Sequence, residues 1–233
     1  MTMTLDALDL RRAKLAELNE KMRRCTACPL ARGRTKVVPG EGRIDADIMF
    51  IGEAPGYYED QQGRPFVGAA GQFLEQLLQD IGLKRSDVFI ANVIKCRPPS
   101  NRDPLPNEIE ACSAWLTEQI ELIDPKVVVT LGRYSLGRYF PGQPISRIHG
   151  QARKFGRLWV VPMYHPAAAL HQGSLRRVIE EDFRKLPAYV ERALKEYDEA
   201  RQPPLAGTVG PGNAPATATA TALQPSAEQG RLF

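Results

Sequence analysis

Four short apolar runs punctuate this chain: Ile48 to Ile51, Val88 to Ile94, Val127 to Leu131 and Leu158 to Pro162. Amphipathic stretches lie among them. Gln72 to Ile81 sets Phe73, Leu74, Leu77, Leu78 and Ile81 on one helical face. Asn107 to Ile123, opened by Pro106 and with Asn107 as its expected cap, turns Cys112, Leu116, Ile120 and Ile123 inward. A first helix is expected from Asp6 to Met22, carrying Leu8, Leu10, Leu15 and Leu18, and a long last one from about Ser174. A strand apolar on both faces has to be covered on both. Such runs alternating with helices therefore predict a three-layer α/β/α sandwich around a mainly parallel, four-stranded sheet. In sheets of this kind the functional crevice lies at the carboxyl ends of the strands. That rule points to Gly52-Glu53-Ala54-Pro55-Gly56 after the first run, Asn92 near the end of the second, and Tyr164-His165-Pro166 after the fourth.

The four cysteines are the second constraint. Cys25 and Cys28 form a Cys-x-x-Cys step beside Pro29, while fifteen residues separate Cys96 from Cys112, among them the loop Arg97-Pro98-Pro99-Ser100-Asn101. A chain with so few cysteines that spends two on such a step reads as a metal site. A structural zinc ribbon closes with a second tight pair, and here the second pair is open. Thiolates gathered from distant elements suit an iron–sulfur cubane at least as well as zinc. Four unligated cysteines packed as small hydrophobes are the remaining alternative. Met1 to Lys14 does not resemble a signal peptide, so a reducing cytoplasm is expected and disulfides are not.

Composition adds limits. The chain has 31 Lys and Arg against 27 Asp and Glu, a net charge of +4, which is compatible with a polyanionic partner. No apolar run approaches membrane-spanning length. From Gln202 onward the sequence is mostly Pro, Gly, Ala and Thr, with Glu228 and Arg231 as its only charges. Such a segment buries too little apolar surface to offset its ordering entropy. One domain over residues 1–200 and a disordered tail over 201–233 are expected.

The crevice residues resemble a known family. Gly52-Glu53-Ala54-Pro55-Gly56, then Glu59-Asp60, then Gly63-Arg64-Pro65-Phe66-Val67-Gly68 resemble the first motif of the family 4 uracil-DNA glycosylases, iron–sulfur DNA-repair enzymes of bacteria and archaea. Asn92-Val93-Ile94-Lys95-Cys96-Arg97-Pro98-Pro99 with Asn101-Arg102 resembles the second, and His165-Pro166-Ala167-Ala168-Ala169-Leu170 the closing one. Together they span roughly Cys25 to Leu186. A lone Gly-Glu-Ala-Pro-Gly is weak evidence; the ordered set is specific. The resemblance implies a [4Fe–4S] cluster on Cys25, Cys28, Cys96 and Cys112. It also implies hydrolysis of the bond between uracil and deoxyribose in single- and double-stranded DNA, by a protein expected to act as a monomer.

Uracil excision needs a pocket for an everted base, donors where negative charge develops, and a placed water. The resemblance makes His165 the donor to uracil O2. Asn92 carries the donor and acceptor that the O4/N3 edge of uracil requires, and Phe66 offers a flat wall for the base. Gly52, Glu53 and Ala54 form the water-side loop. Ala54 stands where family 1 relatives place an aspartate, so Glu53 is left as the candidate to orient water. Glu59 is expected to crowd the C5 position, where thymine carries its methyl. Arg97, Asn101, Arg102, Arg147, Arg153, Lys154 and His171 are candidate DNA contacts, with Leu170 a wedge for the vacated stack. Arg147-Ile148-His149 echoes a motif of covalently trapping relatives but lies elsewhere in the chain, so His149 is read as non-catalytic. The final Gln229-Gly230-Arg231-Leu232-Phe233 resembles a sliding-clamp-binding peptide. Two other readings stay open: a non-catalytic zinc module that binds nucleic acid, and a related glycosylase that prefers another deaminated base.

Overall fold

A computed structural model describes residues 5–201; the tail and its terminal Gln229–Phe233 peptide lie outside the described residues. In chain order the elements are α1 (Leu5–Arg23), β1 (Glu41–Gly42), β2 (Ile48–Gly52), α2 (Tyr57–Gln62), α3 (Ala69–Asp80), β3 (Phe89–Asn92), α4 (Pro106–Ile123), β4 (Val127–Leu131), α5 (Arg133–Gly137), α6 (Ile145–Ile148), β5 (Arg153–Phe155), β6 (Leu158–Met163), α7 (Pro166–His171) and α8 (Ser174–Arg201).

The strands form one sheet in the order β1-β3-β2-β4-β6-β5. Its centre, β3-β2-β4-β6, is parallel throughout. The four apolar runs are those central strands. Two edge strands join them antiparallel, β1 on β3 and β5 on β6, so the sheet has six strands where four are expected. Both edges are two or three residues long and β5 is wholly exposed, so neither leaves an apolar signature in the sequence. β3 is shorter than its apolar run. The amides of Val93 and Ile94 leave the ladder and donate instead to the carbonyls of Gly52 (3.0 Å) and Glu53 (3.2 Å), binding the loop after β3 to the loop after β2.

Alternation along each strand divides the core in two. Ile48 and Phe50 of β2 face one layer with Phe73, Leu74, Leu77 and Leu78 of α3 and Ile179, Phe183 and Leu186 of α8. Met49 and Ile51 face the other, with Leu18 and Met22 of α1 and Cys112, Leu116 and Ile123 of α4. This is the three-layer sandwich. Leu10, expected to face inward on α1, is 57% exposed, because the buried stripe of that helix runs through Leu18 and Met22. Asn107 is not the cap of α4. That helix starts at Pro106, and the Glu108 carboxylate takes the Leu105 amide at 2.8 Å instead.

Phe183 stacks on Phe50 at 5.9 Å between ring centroids, and both are buried at the centre of one layer. Phe183→Ala is expected to cost about 3–5 kcal/mol in chemical denaturation. Leu10→Ala, on the exposed side of α1, should stay within about 0.5 kcal/mol. Equal losses would contradict this packing.

Candidate active site and cysteine cavity

The carboxyl ends of β2, β3 and β6 open into one cleft, lined among others by Glu53, Ala54, Glu59, Phe66, Asn92 and His165. Gly52 lies beneath it. A Cβ there would stand 2.4 Å from Asn92 Oδ1 and 2.7 Å from the Phe66 ring, so only glycine lets those two groups close over the end of β2. Gly132, at φ +86°, gives similar room to His165, whose Cβ would lie 3.1 Å from an added methyl.

Asn92 is 2% exposed, and its Oδ1 has no hydrogen-bond partner. A buried, unpartnered amide oxygen is costly unless something comes to meet it. Phe66 holds φ +52°, an uncommon conformation for a bulky side chain. Arg85 holds it there through the carbonyls of Phe66 (2.9 Å) and Pro65, and Glu41 of β1 fixes Arg85 in turn. Gly71 leaves space behind, where a Cβ would strike the Phe66 carbonyl. The Phe66 ring lies 5.5 Å from the His165 imidazole at an interplanar angle of 23°.

His165 caps α7, and its Nδ1 accepts the Ala167 amide at 3.1 Å. That bond fixes the tautomer: Nδ1 is the acceptor, so Nε2 carries the proton and is the donor. Burial pulls the imidazole down to about 4, against a weaker upward pull from Glu59. The donor is therefore neutral at physiological pH. Burial raises the Glu53 carboxyl above its usual range, Asp103 adds to this, and Arg133 opposes it. Glu53 is thus a stronger base than an ordinary surface glutamate.

Glu59 lines the cleft, but its carboxylate is already engaged with backbone. Oε1 accepts the amides of Val67 (2.8 Å) and Gly68 (2.9 Å), and Oε2 accepts that of Gly56 (3.1 Å). It ties the loop after β2 to the turn that carries Phe66. Asp60, 2% exposed, does the same for the Thr35 and Lys36 amides.

Of the candidate DNA contacts, Asn101, Arg102 and His171 line the cleft. Arg102 is committed to the buried Glu108 through two bonds, of 2.9 and 2.7 Å. Arg97 sits over the Tyr57 ring, and Leu170, beside His171, is 50% exposed. Arg147, Arg153 and Lys154 are not among the cleft's lining. Arg147 is on α6; Arg153 of β5 meets Gln143 and the Phe140 ring, and Lys154 pairs with Glu196. His149 is bound to the buried Asp182 at 2.6 Å, also outside the cleft.

A second, smaller cavity is lined by all four cysteines. Burial pushes the Cys112 thiol up to about 11, and raises Cys96 against the pull of Arg34, whose Nη1 lies 3.3 Å from Cys96 Sγ. Among the described residues no group of three or more His, Cys, Asp or Glu could hold a metal ion as placed. Lys95 also lines this cavity at 1% exposure. Its Nζ donates to the Asn92 carbonyl (2.9 Å) and to Gln119 Oε1 (2.6 Å), and no described carboxylate pairs with it. Burial brings its pKa down to about 8, with Cys112 the main group opposing the fall. Lys95 and Gln119 have a signal in the sequence, as polar residues at apolar positions, whereas Arg85 leaves none.

Cleft, parallel sheet and cysteine cavity define the class. The profile of the uracil DNA glycosylase superfamily matches residues 39–196. A type-4 uracil-DNA glycosylase of Sulfurisphaera tokodaii is 49% identical over 184 residues, covering 74% of this chain and 83% of that protein. One from Thermotoga maritima is 44% identical, covering 78% and 97%. A type-5 uracil-DNA glycosylase of Thermus thermophilus reaches 36% over 114 residues, 52% of its length. The chain belongs to the type-4 uracil-DNA glycosylases.

The unfolded chain takes up a proton at histidine 165 below about pH 6.5, whereas the folded imidazole resists it down to about 4. The fold should therefore lose stability as pH falls through that window, an effect that His165→Gln should reduce. An NMR titration should show the His165 ring neutral from pH 8 to 5.5; an inflection near 6.5 would contradict the buried tautomer.

Proposed function

We infer that this protein hydrolyses the N-glycosidic bond of uracil in DNA and leaves an abasic site, the opening step of base excision repair. The observation that carries the reading is the meeting, in one cleft, of the unpartnered Asn92 Oδ1, the Phe66 ring and a neutral His165 donor.

The everted base would lie along Phe66, with Asn92 Oδ1 accepting from uracil N3–H and Nδ2 donating to O4. Cytosine offers the reverse pattern and would leave both ends of the amide unpaired, the kind of mismatch that rejects strongly. As the C1′–N1 bond breaks, its electron pair goes to the base and positive charge builds on the sugar. His165 Nε2–H donates to O2 as that oxygen gains charge, and needs no charge of its own to do so. Water, oriented by the Glu53 carboxylate, adds to C1′ from the opposite face and loses a proton to solvent, and the uracil anion takes one up from solvent as it leaves. Ala54 has no basic atom to offer. Glu59, anchored by three backbone amides while lining the cleft, is held rigidly enough to crowd the C5 position where thymine carries its methyl.

The cysteine cavity is assigned to a [4Fe–4S] cluster. Its donor set is four thiols from α4, the β3–α4 loop and the segment after α1. A cubane holds its thiolates farther apart than a single ion does, which suits cysteines that share a cavity without forming a mononuclear site. The fully buried Lys95 ammonium, without a carboxylate, calls for nearby negative charge, and a ligated thiolate cluster supplies it. The cluster would lend structural stability by tying α1 to the loop that carries Cys96. The terminal Gln229–Phe233 peptide is assigned to sliding-clamp binding on its residue pattern.

Incubation with a uracil-bearing oligonucleotide should yield an alkali-labile site. Asn92→Ala and His165→Ala should each lower kcat/KM by about 10²- to 10³-fold; wild-type protein that leaves the strand intact would overturn the reading. Cys96→Ser, purified anaerobically, should lose iron and visible colour and melt at lower temperature. A colourless but zinc-loaded wild type would overturn the cluster assignment.

A further inference from the structure

Four of the six large apolar side chains exposed among the described residues lie within two positions in the chain of a residue that lines the cleft. Of these, Tyr57 and Tyr58 fall between the lining residues Gly56 and Glu59. Leu105 lies two residues beyond Asp103, and Leu170 adjoins His171. The two tyrosines are the most informative. They are 52% and 60% exposed at the start of α2, and their rings meet edge to face at 5.4 Å and 81°. The Arg97 guanidinium lies 5.1 Å from the centre of the Tyr57 ring, and its Nε donates to Asn101 Oδ1 at 2.7 Å. Asn101 itself lines the cleft.

The charges at this rim differ in availability. Arg102 is bound to Glu108, and Arg133 to Asp103. Arg97 has no carboxylate partner among the described residues; its contacts are an amide and an aromatic face. An aromatic ring beside a cation that keeps its charge for an outside partner is the combination that single-stranded nucleic acid uses, with the ring for a base and the cation for the backbone. Contacts with Arg97 and Tyr58 steady the Tyr57 ring, which lowers the entropy lost when a base stacks on it.

We propose that Tyr57, steadied by Arg97 and Tyr58, is a stacking subsite for the nucleobase adjoining the everted uracil on the same strand. The proposal rests on the uracil-excision reading and extends it by a second nucleotide. It favours single-stranded DNA. In a duplex the neighbouring base is already paired and stacked, and has less to gain from a protein ring.

The test uses the full-length protein, prepared anaerobically, and single-stranded oligonucleotides carrying one 2′-fluoro-deoxyuridine, which resists cleavage. 5-Iododeoxycytidine is placed on its 5′ side in one oligonucleotide and on its 3′ side in another. Irradiation should cross-link one of the two to the peptide containing Tyr57. Tyr57→Ala should weaken binding to single strands about 5- to 100-fold, with a smaller effect on duplex, and Tyr57→Phe should preserve wild-type affinity. Inhibition by free uracil should be the same in all three proteins, because the base pocket does not include Tyr57. Tyr57→Ala binding single strands as tightly as wild type would overturn the proposal, as would a parallel loss of uracil inhibition. Wild-type protein that neither excises uracil nor is inhibited by it would sink the uracil reading, and this subsite with it.

Discussion

The cleft exists because one Cβ is missing. At Gly52 the end of β2 passes so close to the Asn92 amide and the Phe66 ring that no other residue fits without moving one of them. The same strand end supplies the carbonyl that takes the Val93 amide, so the two loops share a hydrogen-bonded boundary. Phe66 adds strain to this arrangement. Its positive φ is held by two carbonyl contacts to Arg85, which Glu41 fixes from the antiparallel edge strand. A conformation costing of order 1–3 kcal/mol persists only where the surroundings over-determine it. Here the surroundings include an ion pair, a glycine at 71 that clears the space behind, and a glutamate at 59 that binds the next two amides.

Lys95 joins the two cavities. Its backbone carbonyl takes the Val38 amide, and its ammonium reaches the Asn92 carbonyl and Gln119, which continues to the Pro39 carbonyl. The residue after it is Cys96. The backbone of Asn92 is therefore pinned by a cation that also borders the four cysteines. Both of its hydrogen-bond acceptors are neutral, so they satisfy its protons without cancelling its charge. A negative group in the cysteine cavity would balance that charge.

The central sheet and most helix faces were legible in the sequence because their signal is local: apolar runs of strand length and a 3.6-residue stripe. The convergence of Gly52, Asn92 and His165 was legible too, since topology alone carries the carboxyl ends of parallel strands to one side. What escaped was non-local. Nothing in the sequence around Glu59 shows that its carboxylate takes three amides, since only the path of the chain from 56 to 68 brings them together. Arg85 acts on Phe66 from nineteen positions away in the chain. The edge strands are too short and too polar to register as pattern. Arg153 and Arg147 read as cations in a basic chain, yet a cation's role depends on where its helix or strand ends, and theirs end away from the cleft.

The electrostatic character of the site follows from burial. An imidazolium opposite a departing uracil anion would attract it more strongly than a neutral imidazole, but it would also bind anions in the resting state. Burial at His165 removes that option and leaves a donor whose strength grows only as charge develops on its partner. The Ala167 amide serves the same end by occupying Nδ1, so that the ring has a single proton and a single direction in which to offer it. The opposite holds for Glu53, where burial raises basicity on the side from which water would approach. One low-dielectric cleft thus shifts an imidazole and a carboxyl in opposite senses, lowering the first and raising the second, so that the donor is neutral while the carboxylate is the more basic of the two for being buried.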